Sequence, residues 1–340
     1  VGNDCITFEQ LYERSVSRAR QLRRIGIKKG DIVASLLPSG LPAVEIFHAV
    51  HLCGVTLLPL NLRLTTAEIG FQLDETDARV LIVEESFISP AREICKARDC
   101  PPLLITYSED NRLVRLDAEE APPVSGEEED SGEERSSEVP WAILYTSGTT
   151  GTPKGVPLTA RHFGASAMAS VSHLDTMDDD RWLACVPLFH IAGLSILTRS
   201  VLAGVAVVLH ESFDAEKVSR ALDEQHITLM SLVPTMLRRL VDVRLRQNSN
   251  SELSLRAILI GGAPCSETLR QQSLDLGLPV LRTYGLTEAC SQVATEMLHP
   301  DGGDPPPAPK PLPGIQVKII NSSGRTLNAN EEGEILVRGE

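Results

Sequence analysis

The chain has 340 residues, 42% hydrophobic and 23% charged, with a formal net charge of −14. That length suffices for a sizeable core and predicts two or three domain-sized units. The acidic balance argues against a nucleic-acid binder, which needs clustered Lys and Arg, and no apolar run approaches the 18 residues of a membrane span.

The N-terminal third alternates strand and helix. Thr7 and Gln10 have capping-box spacing, and Leu11, Val16, Ala19, Leu22 and Ile25 follow at helical intervals up to Gly26. Strands are expected over 32–37, 55–60 and 79–83, and helices over 41–53 and 66–73. Short apolar strands between amphipathic helices predict βαβ units and a largely parallel sheet. Residues 117–138 hold ten acids and one base, Arg135, and so carry −9 of the −14. Such a segment cannot bury enough apolar surface to order itself and is expected to be a disordered loop.

Beyond it the alternation resumes. Strands are expected over 142–145, 182–186, 205–209, 228–233, 256–260 and 280–283. Helices are expected from Thr159, over 193–202, 215–225 and 234–244, and again from Thr287. A stretch at 301–313 holds six of the 22 prolines, and 316–320 and 333–338 then read as antiparallel strands around Gly324. The expected organisation is a first α/β subdomain (1–116), the acidic loop (117–139) and a second α/β subdomain (140–300). A Pro-rich loop (301–313) and the start of a small β subdomain (314–340) complete it.

Seven cysteines are scattered without any C-x-x-C pair, which predicts buried thiols in a reducing, cytoplasmic setting. The chain opens Val1-Gly2-Asn3-Asp4, with neither an initiator Met nor a signal peptide, and reads as a piece of something longer. A homo-oligomer is compatible with the sequence but is not specified by it.

The densest chemical signal is Leu144-Tyr145-Thr146-Ser147-Gly148-Thr149-Thr150-Gly151-Thr152-Pro153-Lys154-Gly155. Glycines let backbone N–H groups approach a polyanion, hydroxyls add donors, and Lys154 supplies charge. The spacing is not that of a Walker loop, because Pro153 precedes Lys154 and Gly155 follows it. Gly261-Gly262-Ala263-Pro264 follows a strand and lets backbone lie against a planar ligand, or serves as an ordinary strand-to-helix turn. Tyr284, beside Gly285, can stack on a purine or sit in the core. Arg199 stands in the apolar run 194–208, either as a fixed cation for a ligand carboxylate, or paired with an acid, or reaching solvent.

The stretch 144–155 resembles the phosphate-binding signature of the adenylate-forming superfamily. Three more segments agree in the family's order: Pro187-Leu188-Phe189-His190-Ile191-Ala192-Gly193, Gly261-Gly262-Ala263-Pro264, and Thr283-Tyr284-Gly285-Leu286-Thr287-Glu288. Pro59-Leu60-Asn61-Leu62-Arg63-Leu64-Thr65 is also typical of it. The resemblance covers nearly the whole chain. It implies the large N-terminal domain of such an enzyme, with two βαβ-type sheets flanked by helices and the start of a β-barrel-like subdomain.

The implied activity is an ATP-dependent acid–CoA ligase, with Mg²⁺, ATP and coenzyme A as cofactor and co-substrates. The resemblance assigns Thr146, Ser147, Gly148, Thr149, Thr150, Gly151 and Lys154 to the phosphates. It assigns Gly261 to Pro264, Thr283, Tyr284, Gly285 and Thr287 to the rest of the nucleotide. Glu288 and Thr146 are the implied Mg²⁺ ligands, and His190 the residue that orients the acid or gates its tunnel. Thr146, Lys154, His190, Thr287 and Glu288 form the implied catalytic set.

Several segments, among them 187–201, 207–211, 231–237 and 284–295, are more similar to the o-succinylbenzoate–CoA ligase branch of menaquinone biosynthesis. That acid has two carboxylates, so Arg199, with Ser291 and Thr283, becomes a candidate for the one that is not activated. The alternatives are a ligase for a fatty or simple aromatic acid and a non-catalytic nucleotide-binding relative. The chain ends at Glu340, ahead of the family's ribose-binding T-G-D segment, hinge and lysine-bearing C-terminal lid. The 340 residues alone are therefore expected to adenylate poorly.

Overall fold

The computed structural model describes residues 5–108, 110–116, 138–146, 151–247, 253–297 and 308–340. Most of the acidic segment, residues 147–150 of the phosphate-type run, and 298–307, which include the first part of the Pro-rich stretch, lie outside them, so the expectations placed there are not described. The chain divides into two compact units, residues 1–160 with 187–190, and residues 161–186 with 191–340.

In the first unit, helix α1 (Phe8–Arg24) begins at Thr7, whose hydroxyl accepts from Gln10 N–H while the Gln10 side chain accepts from Thr7 N–H. Strand β1 (Ile32–Leu36) leads to α2 (Leu41–Cys53), which stops where Gly54 turns left-handed (φ 67°). Strand β2 (Thr56–Pro59), helix α3 (Thr66–Thr76) and strand β3 (Val80–Val83) follow, with a second capping box, Thr65 and Glu68, opening α3. Helix α4 (Ile88–Lys96), strands β4 (Leu103–Tyr107) and β5 (Leu113–Arg115), and strands β6 (Pro140–Thr146) and β7 (Lys154–Thr159) complete it.

The seven strands run in the order β5-β4-β3-β1-β2-β6-β7, parallel in the middle and antiparallel at both edges. Ala34, Leu36, Leu58, Leu81 and Val83 pack beneath Ile69 and Leu73 of α3 and Ala91 and Ile94 of α4. Each fully buried side chain of this kind contributes about 1.5–3 kcal/mol. On α2, Phe47 stacks on Trp141 of β6 with ring centres 4.4 Å apart, and the indole N–H donates to the Phe47 carbonyl at 2.7 Å. Strands β6 and β7 thus belong to the first sheet, although the sequence reading placed residues from 140 onward in the second α/β segment.

The second unit begins with α5 (Ala160–His173) and strand β8 (Arg181–Ala184), followed by α6 (Ile191–Ala203) and β9 (Ala206–Leu209). Next come α7 (Ala215–Glu224), β10 (Leu229–Leu232), α8 (Pro234–Gln247), β11 (Ala257–Ile260) and α9 (Glu267–Asp275). Strands β12 (Val280–Leu286), β13 (Ser291–Thr295) and β14 (Lys310–Pro311) follow, and β15 (Gln316–Ile320) pairs antiparallel with β16 (Glu334–Arg338). The sheet order is β14-β13-β12-β11-β10-β8-β9.

One face of this sheet packs Met230, Leu232, Ile258 and Ile260 against Val218, Leu222, Leu237, Leu240 and Leu269 of α7, α8 and α9. The other face sets Trp182, Leu229, Leu259 and Leu281 against Ile196 of α6. The architecture is the expected α/β arrangement of two helix-flanked sheets. The helix expected from Thr287 is corrected: a single 3₁₀ turn over Thr287–Ala289 ends in left-handed backbone at Cys290, and the chain returns as β13. Among the described residues, no helix is long and apolar enough to cross a membrane.

Candidate active site

In the first unit the phosphate-type run is carried by the β6–β7 hairpin. Thr146 ends β6 and Lys154 opens β7, and the two are cross-strand partners. Lys154 is exposed and Thr146 half-buried. Strand β6 is braced by Tyr145, whose hydroxyl donates to Glu75 Oε2 on α3 at 2.5 Å. Burial and that carboxylate both push the phenol pKa up, so the proton stays in the bond. Ser147, Gly148, Thr149 and Thr150 lie outside the described residues; Gly151 is the first described after them.

The segment 187–190 groups with the first unit. Its Leu188 N–H donates to the buried Ser39 hydroxyl at 3.1 Å, and a turn closes from His190 N–H to the Pro187 carbonyl. The His190 ring lies 4.5 Å from that of Phe189. Burial, and then the charge of Arg63, lower its pKa, so the imidazole is neutral at pH 7. A neutral ring can donate or accept a hydrogen bond but does not act as a fixed cation.

In the second unit the nucleotide-type motifs meet at the carboxyl ends of adjacent parallel strands, where open α/β sheets bind ligands. Gly261 follows β11, and a Cβ there would lie 2.9 Å from Thr283 Cγ2 and 3.0 Å from the Thr283 carbonyl. Only glycine permits that approach. Gly262, Ala263, Pro264, Tyr284, Gly285 and Glu288 are exposed, and Thr287 is half-buried. Glu288 thus presents a free hard oxygen. Among the described residues no three His, Cys, Asp or Glu side chains cluster. A single carboxylate fits Mg²⁺, which takes few protein ligands and completes its shell with phosphate and water. Thr146, the other residue assigned to the ion, offers a hydroxyl from the end of β6.

Arg199 is 2% exposed and forms no ion pair among the described residues, so neither an acid nor solvent neutralises it. Its Nη2 donates to Ser291 Oγ at 2.9 Å, its guanidinium carbon lies 5.4 Å from the Trp182 ring centre, and its Nε has no partner among the described residues. Burial pushes its pKa down to about 10, which leaves it a cation at pH 7. Ser195 Oγ lies 3.3 Å from Ser291 Oγ as a second donor. A hydroxyl that accepts twice has its own proton free, so Ser291 can donate to a ligand.

The turn that delivers Ser291 is strained. Cys290 (φ 52°) and Ser291 (φ 104°) are consecutive non-glycine residues with positive φ. The remaining described cases are Asp77, Asn111, Asp175, His226 and Asn330, residue types that tolerate the left-handed region. Each such position costs on the order of 1–3 kcal/mol and persists only where neighbours enforce it. Strand β12 makes room with a bulge after Tyr284, and a Cβ on Gly285 would lie 2.0 Å from the Ser291 carbonyl oxygen. Thr283 joins a buried chain in which Ser170 donates to Gln292, Gln292 to Thr295, and the Thr295 and Thr283 hydroxyls lie 2.7 Å apart.

The family model for AMP-binding enzymes matches residues 2–340. The chain belongs to the AMP-binding enzyme family. It is 37% identical over 99% of its length to the 2-succinylbenzoate–CoA ligase of Bacillus licheniformis, of which it spans 66%. Among solved structures it resembles O-succinylbenzoate coenzyme A synthetase from Bacillus subtilis in complex with AMP. There the identity is 33% and the TM-score 0.82, covering 100% of this chain and 82% of that one. The same B. subtilis enzyme in complex with ATP and magnesium ion gives 33% identity and a TM-score of 0.82 over 99% of this chain and 66% of that one.

Within this member of the AMP-binding enzyme family the structure brings Gly261 against Thr283, residues of two separate motifs, and Arg199 against Ser291, which the sequence had already named together for the second carboxylate. Trp182, Ser195, Ser39 and Tyr145–Glu75 were not singled out as partners. Only the rarity of tryptophan marks Trp182, one of two in the chain.

Proposed function

We propose that this chain is the adenylating part of an ATP-dependent acid–CoA ligase whose acid is o-succinylbenzoate. The observation that carries the reading is the buried, unpaired Arg199 hydrogen-bonded to Ser291. A guanidinium held out of water without a counter-ion is costly in the empty protein and favourable once a carboxylate arrives. A fatty or simple aromatic acid has no second carboxylate to supply. The likeness to the Bacillus ligases supports the same acid.

In the proposed reaction the other carboxylate attacks the α-phosphorus of ATP. The P–O bond to pyrophosphate breaks and an acyl-adenylate forms. The thiol of coenzyme A then attacks the acyl carbon and AMP departs. Charge grows on phosphoryl oxygens in the first step, so positioned donors and cations lower its barrier. Lys154 and the Thr287 hydroxyl serve those oxygens, and Glu288 would hold Mg²⁺, which would neutralise phosphate charge. Tyr284 and the backbone at Gly261 and Gly262 flank the base. His190 orients the reacting carboxylate, which is already ionised and needs no base. Cys185 and Cys290 are buried free thiols and Cys5 and Cys100 exposed ones, which supports a cytoplasmic location.

Calorimetric titration of the chain with AMP, o-succinylbenzoate, benzoate and octanoate tests the reading. AMP binds, and o-succinylbenzoate binds at least about tenfold tighter than either monocarboxylate, the scale of one charged hydrogen bond. Absence of AMP binding refutes adenylation. A preference for benzoate or octanoate refutes the dicarboxylate.

A further inference from the structure

Helix α5 lays three polar side chains on β13 and the residues flanking it. Ser166 Oγ donates to the Cys290 carbonyl at 2.6 Å, Ser170 Oγ to Gln292 Oε1 at 2.7 Å, and His173 Nε2 lies 3.0 Å from the Glu296 carbonyl. Positions four and seven apart share one helix face, so this is a continuous polar seam. Phe163, Ala167 and Ala169 of the same helix are buried as well, which gives α5 apolar anchorage of its own.

The Ser166 bond falls at a particular place. The Cys290 carbonyl belongs to the peptide that links Cys290 to Ser291, the two residues held at positive φ. Fixing the plane of that peptide fixes the axis about which φ of Ser291 is measured, and so the direction in which its side chain leaves the backbone. With the peptide released, both residues can relax toward negative φ, and Ser291 Oγ swings away from Arg199.

We propose that Ser166 is a positioning residue for acid selection: through the Cys290 carbonyl it holds Ser291 Oγ against Arg199, and so tunes the site to an acid with a second carboxylate. The proposal rests on the dicarboxylate reading above and extends it to a residue that touches no substrate. The Ser170 and His173 bonds remain when Ser166 is truncated, so the seam keeps two of its three links.

The test is calorimetry on the chain with o-succinylbenzoate, benzoate and AMP for Ser166→Ala, Ser291→Ala and the double variant. Ser166→Ala weakens o-succinylbenzoate by about five- to tenfold, the effect of one hydrogen bond, and leaves benzoate and AMP within about twofold. In the Ser291→Ala background it adds nothing, because it acts through that hydroxyl. Ser166→Thr, which keeps the donor, restores the affinity. Should the alanine variant not fold, Ser166→Cys, with similar volume and a weak donor, gives the same direction. Equal weakening of all three ligands, unchanged o-succinylbenzoate affinity, or additivity in the double variant overturns the inference. A wild-type chain that binds AMP but prefers benzoate overturns the dicarboxylate reading itself, and the positioning role falls with it.

Discussion

Replacing Arg199 by methionine should make the empty protein more stable while removing its proposed substrate preference. Burial lowers the Arg199 pKa from its ordinary value to about 10, which corresponds to on the order of 3 kcal/mol of penalty on the charged form. The group is 2% exposed, so solvent screens little of this. Against it stand the contact with the Trp182 face, ~1–2 kcal/mol, and the bond to Ser291, ~1 kcal/mol. The net gain on substitution is about 1 kcal/mol, which for a unit of this size raises the midpoint of thermal unfolding by about 2–4 °C. Methionine fills similar space without a charge to desolvate. In the same variant o-succinylbenzoate affinity falls by about 100-fold, the usual scale for losing one partner of a buried charge pair. Scanning calorimetry of the ligand-free chain and titration with the acid measure both quantities. A midpoint several degrees lower, with acid affinity intact, would show that Arg199 is a structural residue and refute the argument.

Two further outcomes follow from particular residues. His48 is buried with its Nε2 unpartnered, and burial, with a smaller contribution from His51, lowers its pKa to about 4. Between pH 6.5 and 4 the unfolded chain therefore binds a proton that the folded chain excludes, and stability falls with pH across that window by on the order of 3 kcal/mol. Urea midpoints should drop accordingly, and His48→Leu should flatten the slope; an unchanged slope rules this origin out. Gly285→Ala drives a Cβ to within 2.0 Å of a backbone oxygen, a clash that no side-chain rotation relieves. It should cost at least the ~1–3 kcal/mol of ordinary overpacking and abolish acid binding with it; normal stability and normal acid affinity would contradict the geometry.

Much of the scaffold was legible because its punctuation is local. Helix α2 occupies the expected 41–53, where Gly40, Pro42 and Gly54 bracket an apolar run. Strand β7 was not anticipated: Lys154-Gly155-Val156-Pro157 lacks alternation, and only pairing with β6 makes it extended. The helix from Thr287 failed for a related reason. Thr287-Glu288 reads as an ordinary helix start, and nothing in Cys290-Ser291 announces two consecutive positive-φ residues, since glycine and asparagine are the usual markers. The site divides the same way. Glycines and hydroxyls stand out as motifs, but the isolation of Arg199 depends on which side chains arrive from β8 and β13.

The pairing of Thr146 with Lys154 also makes β7 sensitive to length change. A single deletion within β7 shifts the register of the residues before it by one and turns their side chains to the opposite face. The lysine would then occupy the place of Gly155, where Ile143 Cγ2 lies 3.0 Å from any added Cβ. The register of the hairpin thus confines the cation at its base to one side of the sheet.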